Sequence, residues 1–255
     1  GYGFGAESGT MAGFPHFSDC RFKGTFPIAE LTFTDSHFPG SVKMTAFNPF
    51  IPLDADASGM PAAFFEIELE NPTAAPITYT VALSVGNCFS QGTVNRGGRV
   101  DGISYICLEQ NVLGEKEQHY GNITAATDGG DVCLQEHWFR GAWFDGPTIF
   151  WKEFTDTAPL PARRYDPPGD RDMATLTASV TAAPGEQKTV RFIIAWYFPN
   201  NEYDWPPIYA PAPGETLGGR WKNYYAGQYG SSVDVAVQGL RQWQSLYGRT
   251  RRFTD

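Results

Sequence analysis

Residues 65–70 read Phe65-Glu66-Ile67-Glu68-Leu69-Glu70. Polarity alternates with a period of two, the period of a β-strand, so one face carries Phe65, Ile67 and Leu69 and the other Glu66, Glu68 and Glu70. A helix would scatter these six residues around its circumference. The segment therefore predicts a strand with a dry face and a wet face, as in an antiparallel sheet packed on one side. Working outward, the strand spans Ala62 to Glu70 between Pro61 and Asn71-Pro72. The same signature of β-branched and aromatic residues between Gly, Pro, Asn or Asp recurs in Arg21 to Phe33, Ser41 to Phe47, Ile77 to Val85, Ile103 to Leu108, Val132 to Trp138, Ala174 to Thr181 and Lys188 to Phe198. About eight such strands, with turn signals between them and no helical period among them, predict an all-β fold. A two-sheet antiparallel β-sandwich is favoured over a parallel α/β sheet.

The period changes near the C-terminus. Ser231 or Ser232 can cap a helix whose apolar residues Val233, Ala236, Val237, Leu240, Trp243 and Tyr247 follow helical spacing. Such a stripe is stabilised mainly by what it packs against. The chain thus divides into a sandwich over residues 1–230 and a linker helix over residues 231–255. The stripe, together with Trp205 and Tyr209 of the Pro-rich segment Pro199 to Gly219, is expected to be covered by another polypeptide.

At 255 residues the chain suits one large sandwich, and 42% hydrophobic with 15% aromatic residues supplies a core without metal or disulfide staples. With 28 acidic against 19 basic residues the net charge is -9, which repels nucleic acid and anionic membrane surfaces. No apolar run approaches the ~20 residues of a transmembrane helix. The start Gly1-Tyr2-Gly3-Phe4-Gly5 has no basic region leading into an apolar stretch, so no signal peptide is read there. Cys20, Cys88, Cys107 and Cys133 are widely spaced, which favours free buried thiols in a reducing, cytoplasmic compartment and leaves one or two disulfides open.

The nucleophile elbow, phosphate loop, H-E-x-x-H and dinucleotide fingerprints are absent; Gly5-Ala6-Glu7-Ser8-Gly9 places its serine one position too late for an elbow. His16 and Cys20 lack a second ligand pair for zinc. Asp54, Asp56, Asp170 and Asp172 lack the remainder of a calcium loop and read as solvated turn carboxylates. No metal, no cofactor and no catalytic residue is assigned. The substrate-binding candidates are His137 and Trp138 of Glu136-His137-Trp138, with Trp143 following, and Trp205 and Tyr209. An aromatic face beside hydrogen-bonding groups can hold a sugar ring, whereas buried strand-end packing and interdomain packing are the structural alternatives. Asn122-Ile123-Thr124 matches the short glycosylation sequon.

Thr45-Ala46-Phe47-Asn48-Pro49-Phe50-Ile51-Pro52-Leu53, followed by Pro61, Phe64 and Asn71-Pro72, resembles the N-terminal domain of glycoside hydrolase family 116, which includes the non-lysosomal glucosylceramidases and bacterial β-glucosidases. Phe26-Pro27-Ile28-Ala29, Ala195-Trp196-Tyr197-Phe198-Pro199 and Trp221-Lys222-Asn223-Tyr224-Tyr225 extend the resemblance in the family's order, from about Phe14 to the end. It implies a sandwich of the supersandwich type docked on an (α/α)6 barrel, with the nucleophile Glu and the acid/base Asp in the barrel. The partner so implied is that barrel, which would bring the glycoside substrate. On this reading residues 231–255 lead towards the barrel, the domain's first strands precede Gly1, and the chain is a piece of a longer protein. The implied chemistry is that of a retaining β-glycosidase, whose two carboxyl groups stand about 5–5.5 Å apart. Asn87 to Asp131 carries no family motif, which leaves the substrate open among glucosylceramide, a β-glucoside and a β-xyloside. The competing reading is a free-standing carbohydrate-binding or interaction sandwich.

Overall fold

A computed structural model describes residues 13–141, 145–156, 159–166, 168–202 and 220–254. Among these the elements run β1 (Asp19–Thr25), β2 (Ile28–Thr34), β3 (Ser41–Phe47), α1 (Ala55–Ser58), β4 (Ala62–Glu70), β5 (Ile77–Gly86), β6 (Thr93–Val100), β7 (Ile103–Gln110), β8 (Asn122–Thr127), β9 (Asp131–Gln135), α2 (Asp145–Thr155), β10 (Met173–Ala182), β11 (Gln187–Tyr197), β12 (Asn200–Glu202), β13 (Arg220–Lys222), α3 (Ser232–Arg241) and α4 (Trp243–Thr254). Each of the eight stretches marked by alternation contains a strand. Arg21 to Phe33 is two strands rather than one, because the chain reverses at a cis Phe26-Pro27 bond and β1 pairs back on β2.

Eight strands form one sheet in the order β1-β2-β3-β4-β11-β8-β7-β6, and β5-β10-β9 form a second. Every pairing is antiparallel. The two sheets enclose a core of Ile67, Leu69, Ile106, Leu108, Val190 and Phe192 from the large sheet and Ala174, Leu176 and Ala178 from the small one. Side chains such as these each contribute about 1.5–3 kcal/mol when fully buried. The sandwich expected from the period of two is the fold observed.

The opposite face of the large sheet is not simply wet. Glu66, Glu68 and Glu70 share it with Ala62 and Phe64, both fully buried, because strand residues two apart face the same way. Phe47, Phe64, Ile193 and Ala195 meet Val235, Ala236, Leu240, Trp243 and Leu246 in a second core. The central strand β11 is therefore buried on both sides, through Val190 and Phe192 on one and Ile193 and Ala195 on the other.

The C-terminal stripe forms two helices that break at Gln242, and it packs on the chain's own sheet instead of awaiting a separate domain. The physical reason is that the sheet face around Phe64 is itself apolar and needs a cover. Small residues let the cover approach closely: a Cβ on Gly239 would stand 2.5 Å from Ile193 Cδ1 and 3.1 Å from Phe64 Cζ. Ser231 is the N-cap of α3, accepting from Asp234 N–H at 3.2 Å. Ser232 N–H donates to Asn122 Oδ1 at 2.9 Å, and its hydroxyl meets that of Thr124 at 2.7 Å, tying the start of α3 to β8. The sequon asparagine is thus buried in a structural contact. The four cysteines are free, with Cys107 buried but Cys20 and Cys88 exposed, so the expectation of buried thiols fails for those two. No helix among the described residues is long and apolar enough to cross a membrane.

Candidate functional site

The end of β9 runs from Gln135 into Glu136-His137-Trp138, where the chain leaves the small sheet. Glu136 is fixed twice: its backbone carbonyl accepts from Asn95 Nδ2 at 2.8 Å and its Oε1 from Gly97 N–H at 2.8 Å. Trp138 is 4% exposed. Its ring stacks on Phe150 of α2 at 4.3 Å with an 8° interplanar angle, and its Nε1–H donates to Thr175 Oγ1 at 2.7 Å. The stacked face and the polar edge of the indole are engaged in packing, so it anchors α2 to the small sheet, and at 4% exposure it offers no open platform to a sugar.

His137 is likewise buried and stands edge-on to Tyr165 at 5.7 Å. Its Nδ1 lies 3.8 Å from Asp172 Oδ2 and makes no hydrogen bond among the described residues. Asp172 was expected as a solvated turn carboxylate but is buried, because Arg140 chelates it: Nε donates to Oδ1 at 2.8 Å and a terminal nitrogen to Oδ2 at 2.7 Å. Thr93 Oγ1 donates to the same Oδ2 at 2.6 Å. The Arg140 guanidinium lies 4.4 Å over the Tyr165 ring. Burial works to raise the Asp172 pKa, but the hydrogen bonds from Arg140 and Thr93 and the Arg140 charge outweigh it and hold the carboxyl below its ordinary range. A carboxylate so held is a poor proton donor near neutrality, so the cluster reads as a clamp joining β6, the β9 exit and the loop before β10.

Burial lowers the His137 pKa, with Arg140 adding to this and Asp172 and Glu136 opposing. The folded value lies below the ordinary 6.5 of a histidine, so the unfolded chain takes up the proton first, and the stability linked to neutral His137 is present above about 6.5 and lost as pH falls. The urea midpoint is accordingly expected to be lower at pH 5.5 than at pH 7.5. In His137→Gln that difference shrinks; an unchanged difference would remove His137 as its source.

Three hollows flank this region. A cleft of about 280 Å³ lies beside Trp138, Arg140 and Asp170–Met173. A groove of about 480 Å³ crosses the outer face of the small sheet, lined by Thr80, Thr177, Ser179, Arg99, Asp131 and Phe154 among others. A third hollow of about 270 Å³ gathers Asp101, Asp128 and Asp131 beside Arg99, with Asp101 also paired to Arg241. Among the described residues no group of three or more His, Cys, Asp or Glu is placed to hold a metal ion. Trp143, Trp205 and Tyr209 lie outside the described residues. The Arg140–Asp172–Thr93 clamp was missed from sequence, where the mixed charges of residues 163–172 were the only signal.

The description "beta-glucosidase 2, glycosyl-hydrolase family 116 N-term" belongs to the family whose sequence profile matches residues 6–246. No curated protein matches the chain. A solved structure assigned as a kojibiose phosphorylase from human microbiome matches 89% of this chain at 10% identity and a TM-score of 0.40, and the chain spans 23% of that protein's length. With the profile matched over nearly its whole length, the chain belongs to the glycosyl-hydrolase family 116 N-terminal domain family.

Proposed function

We propose that this chain is the non-catalytic N-terminal β-sandwich of a retaining β-glycosidase acting on β-glucosides, and that it supports an (α/α)6 catalytic domain of the same protein. The observation that carries the reading is the family match over residues 6–246. The local chemistry agrees with it. The buried carboxylate at the candidate site, Asp172, is paired with Arg140, and Trp138 is spent on packing. The glycoside is brought by the catalytic domain, and the free thiols fit a cytoplasmic setting.

The isolated 255-residue chain is expected to give no turnover of an aryl β-glucoside, while the full-length protein gives turnover with retention at the anomeric carbon, read by NMR. Turnover by the chain alone that disappears in Asp128→Asn or Asp131→Asn would place a catalytic carboxylate in the acidic hollow and overturn the proposal. A second reading, carbohydrate binding by the hydroxyl-lined groove, would gain from a sugar-dependent shift of the isolated chain that Thr177→Val removes.

A further inference from the structure

With the helical stripe buried on the chain's own sheet, the surface that remains uncovered lies elsewhere. Among the described residues, four of the most exposed large apolar side chains gather at one end: Phe26 (70% exposed), Leu53 (109%), Tyr224 (64%) and Phe253 (46%). A continuous run of contacts joins them. Phe26 stands edge-on to Phe50 at 5.2 Å, and Phe50 stands edge-on to Phe253 at 4.8 Å. Phe50 N–H donates to Thr250 Oγ1 at 3.2 Å, and Asp54 pairs with Arg249 one turn before Phe253. The Tyr224 hydroxyl donates to Asp56 Oδ1 at 2.6 Å.

Leu53 is the most telling member. It is a fully exposed leucine with φ of 67°, a conformation that strains any residue carrying a Cβ. Its neighbours enforce that geometry: Ile51 exchanges hydrogen bonds with Ser58 at 2.9 Å, and Asp54 caps α1 through Ala57 N–H at 3.0 Å. The chain therefore keeps a strained turn whose outcome is an apolar side chain held out in water. Among the described residues the strained turn leaves Leu53 fully exposed, which points to a receiving surface.

Helix α4 identifies the occupant. It carries the chain past residue 246, where the family match ends, and brings Phe253 against Phe50 in this patch. The matched family is an N-terminal domain, whose continuation lies on the C-terminal side. The exposed Arg252 precedes Phe253 directly, which suits a facing rim that carries a carboxylate.

We propose that the end formed by Phe26, Phe50, Leu53, Tyr224 and Phe253 is the face that docks on the catalytic domain of the same polypeptide, with Leu53 as the knob that enters an apolar pocket there. This rests on the reading that the chain is the N-terminal domain of a glycosidase. The test is Leu53→Asp in the full-length protein, with Val112→Asp, at another exposed apolar residue, as control. Because Leu53 is fully exposed, the melting temperature of the isolated chain is expected to move by less than about 2 °C. In the full-length protein, proteolytic cleavage between the domains is expected to accelerate at least tenfold with Leu53→Asp, as for loss of an interface anchor, and to stay unchanged with Val112→Asp. Equal cleavage of Leu53→Asp and the unmodified protein overturns the proposal. So does a dimer of the isolated chain that Leu53→Asp dissociates while full-length cleavage is unaffected, since the occupant is then a second copy. A full-length protein lacking β-glucosidase turnover, yet loosened by Leu53→Asp, upholds this face and refutes the functional reading instead.

Discussion

Trp243→Ala is expected to destabilise the chain by about 3–5 kcal/mol, the range for emptying a large aromatic site in a packed core. Trp243 opens α4, is 2% exposed, and stands edge-on to Phe47 at 5.4 Å and to Phe64 at 5.1 Å. The Arg191 guanidinium lies 5.2 Å over its ring while donating to Glu66 Oε2 at 2.7 Å, so the indole also covers the ion pair between the two central strands. Removing it exposes the apolar face of the large sheet and wets that pair. At roughly 2–4 °C per kcal/mol for a chain of this size, the melting temperature should fall by about 6–20 °C. Trp243→Phe should recover much of the loss. Denaturant unfolding checks both, and a cost for Trp243→Ala under about 1 kcal/mol would mean that the helices cover the sheet without holding it.

Asp172→Ala is the second large effect. It leaves Arg140 without its chelating partner and Thr93 without an acceptor. Breaking a fully buried pair from one side costs about 3–5 kcal/mol, but Arg140 is 29% exposed and can recover part of its hydration, so about 2–4 kcal/mol is expected. Replacing both partners, as Asp172→Leu with Arg140→Met, should cost less than the two single changes added together. The pH dependence has its own sign. The folded pKa of Asp172 lies below the ordinary 3.8 of an aspartate, so its contribution is complete above that value and is lost as pH falls through the lower folded value. Asp172→Asn should therefore flatten the acid limb of the stability curve below about pH 4, while the His137 limb deepens because the Asp172 charge no longer raises the His137 pKa. An unaltered acid limb would show that the clamp is not what fails in acid.

How much of this was legible in the sequence depended on whether one residue's neighbours decide its environment. In β4, β10 and β11 the alternation of polarity marks the face that meets the other sheet, but not the cover on the opposite face, where Phe64, Thr175 and Ile193 are also fully buried. β6 escaped because Thr93-Val94-Asn95-Arg96-Gly97-Gly98-Arg99-Val100 shows no apolar period; its glycines answer to close neighbours, with a Cβ on Gly98 falling 2.5 Å from the Tyr105 ring and one on Gly97 3.1 Å from Leu134. β8 escaped because small residues fill a strand covered on both sides. The stripe on α3 and α4 told that a partner exists but not which, since Phe64 and Ile193 meet it only after the sheet has formed. The same limit hid the Asp172 clamp, whose members lie 32 and 79 residues away from it along the chain. The exposed Leu53 sat within the family motif, but sequence carries no sign of its φ.

The place of β11 in the large sheet has a consequence for how the chain is built. β1 to β4 form one meander and β6 to β8 another, each joined by neighbours in sequence, whereas β11 is inserted between β4 and β8 and brings together residues such as Glu66 and Arg191, 125 positions apart. Closing so long a loop is slow compared with forming a hairpin. During synthesis both meanders therefore present an open backbone edge until Gln187–Tyr197 has emerged, and α3 and α4, which cover the finished face, emerge later still. A nascent chain halted before Gln187 is a pair of ribbons with sticky sides, the stage at which a molecular chaperone has most to do.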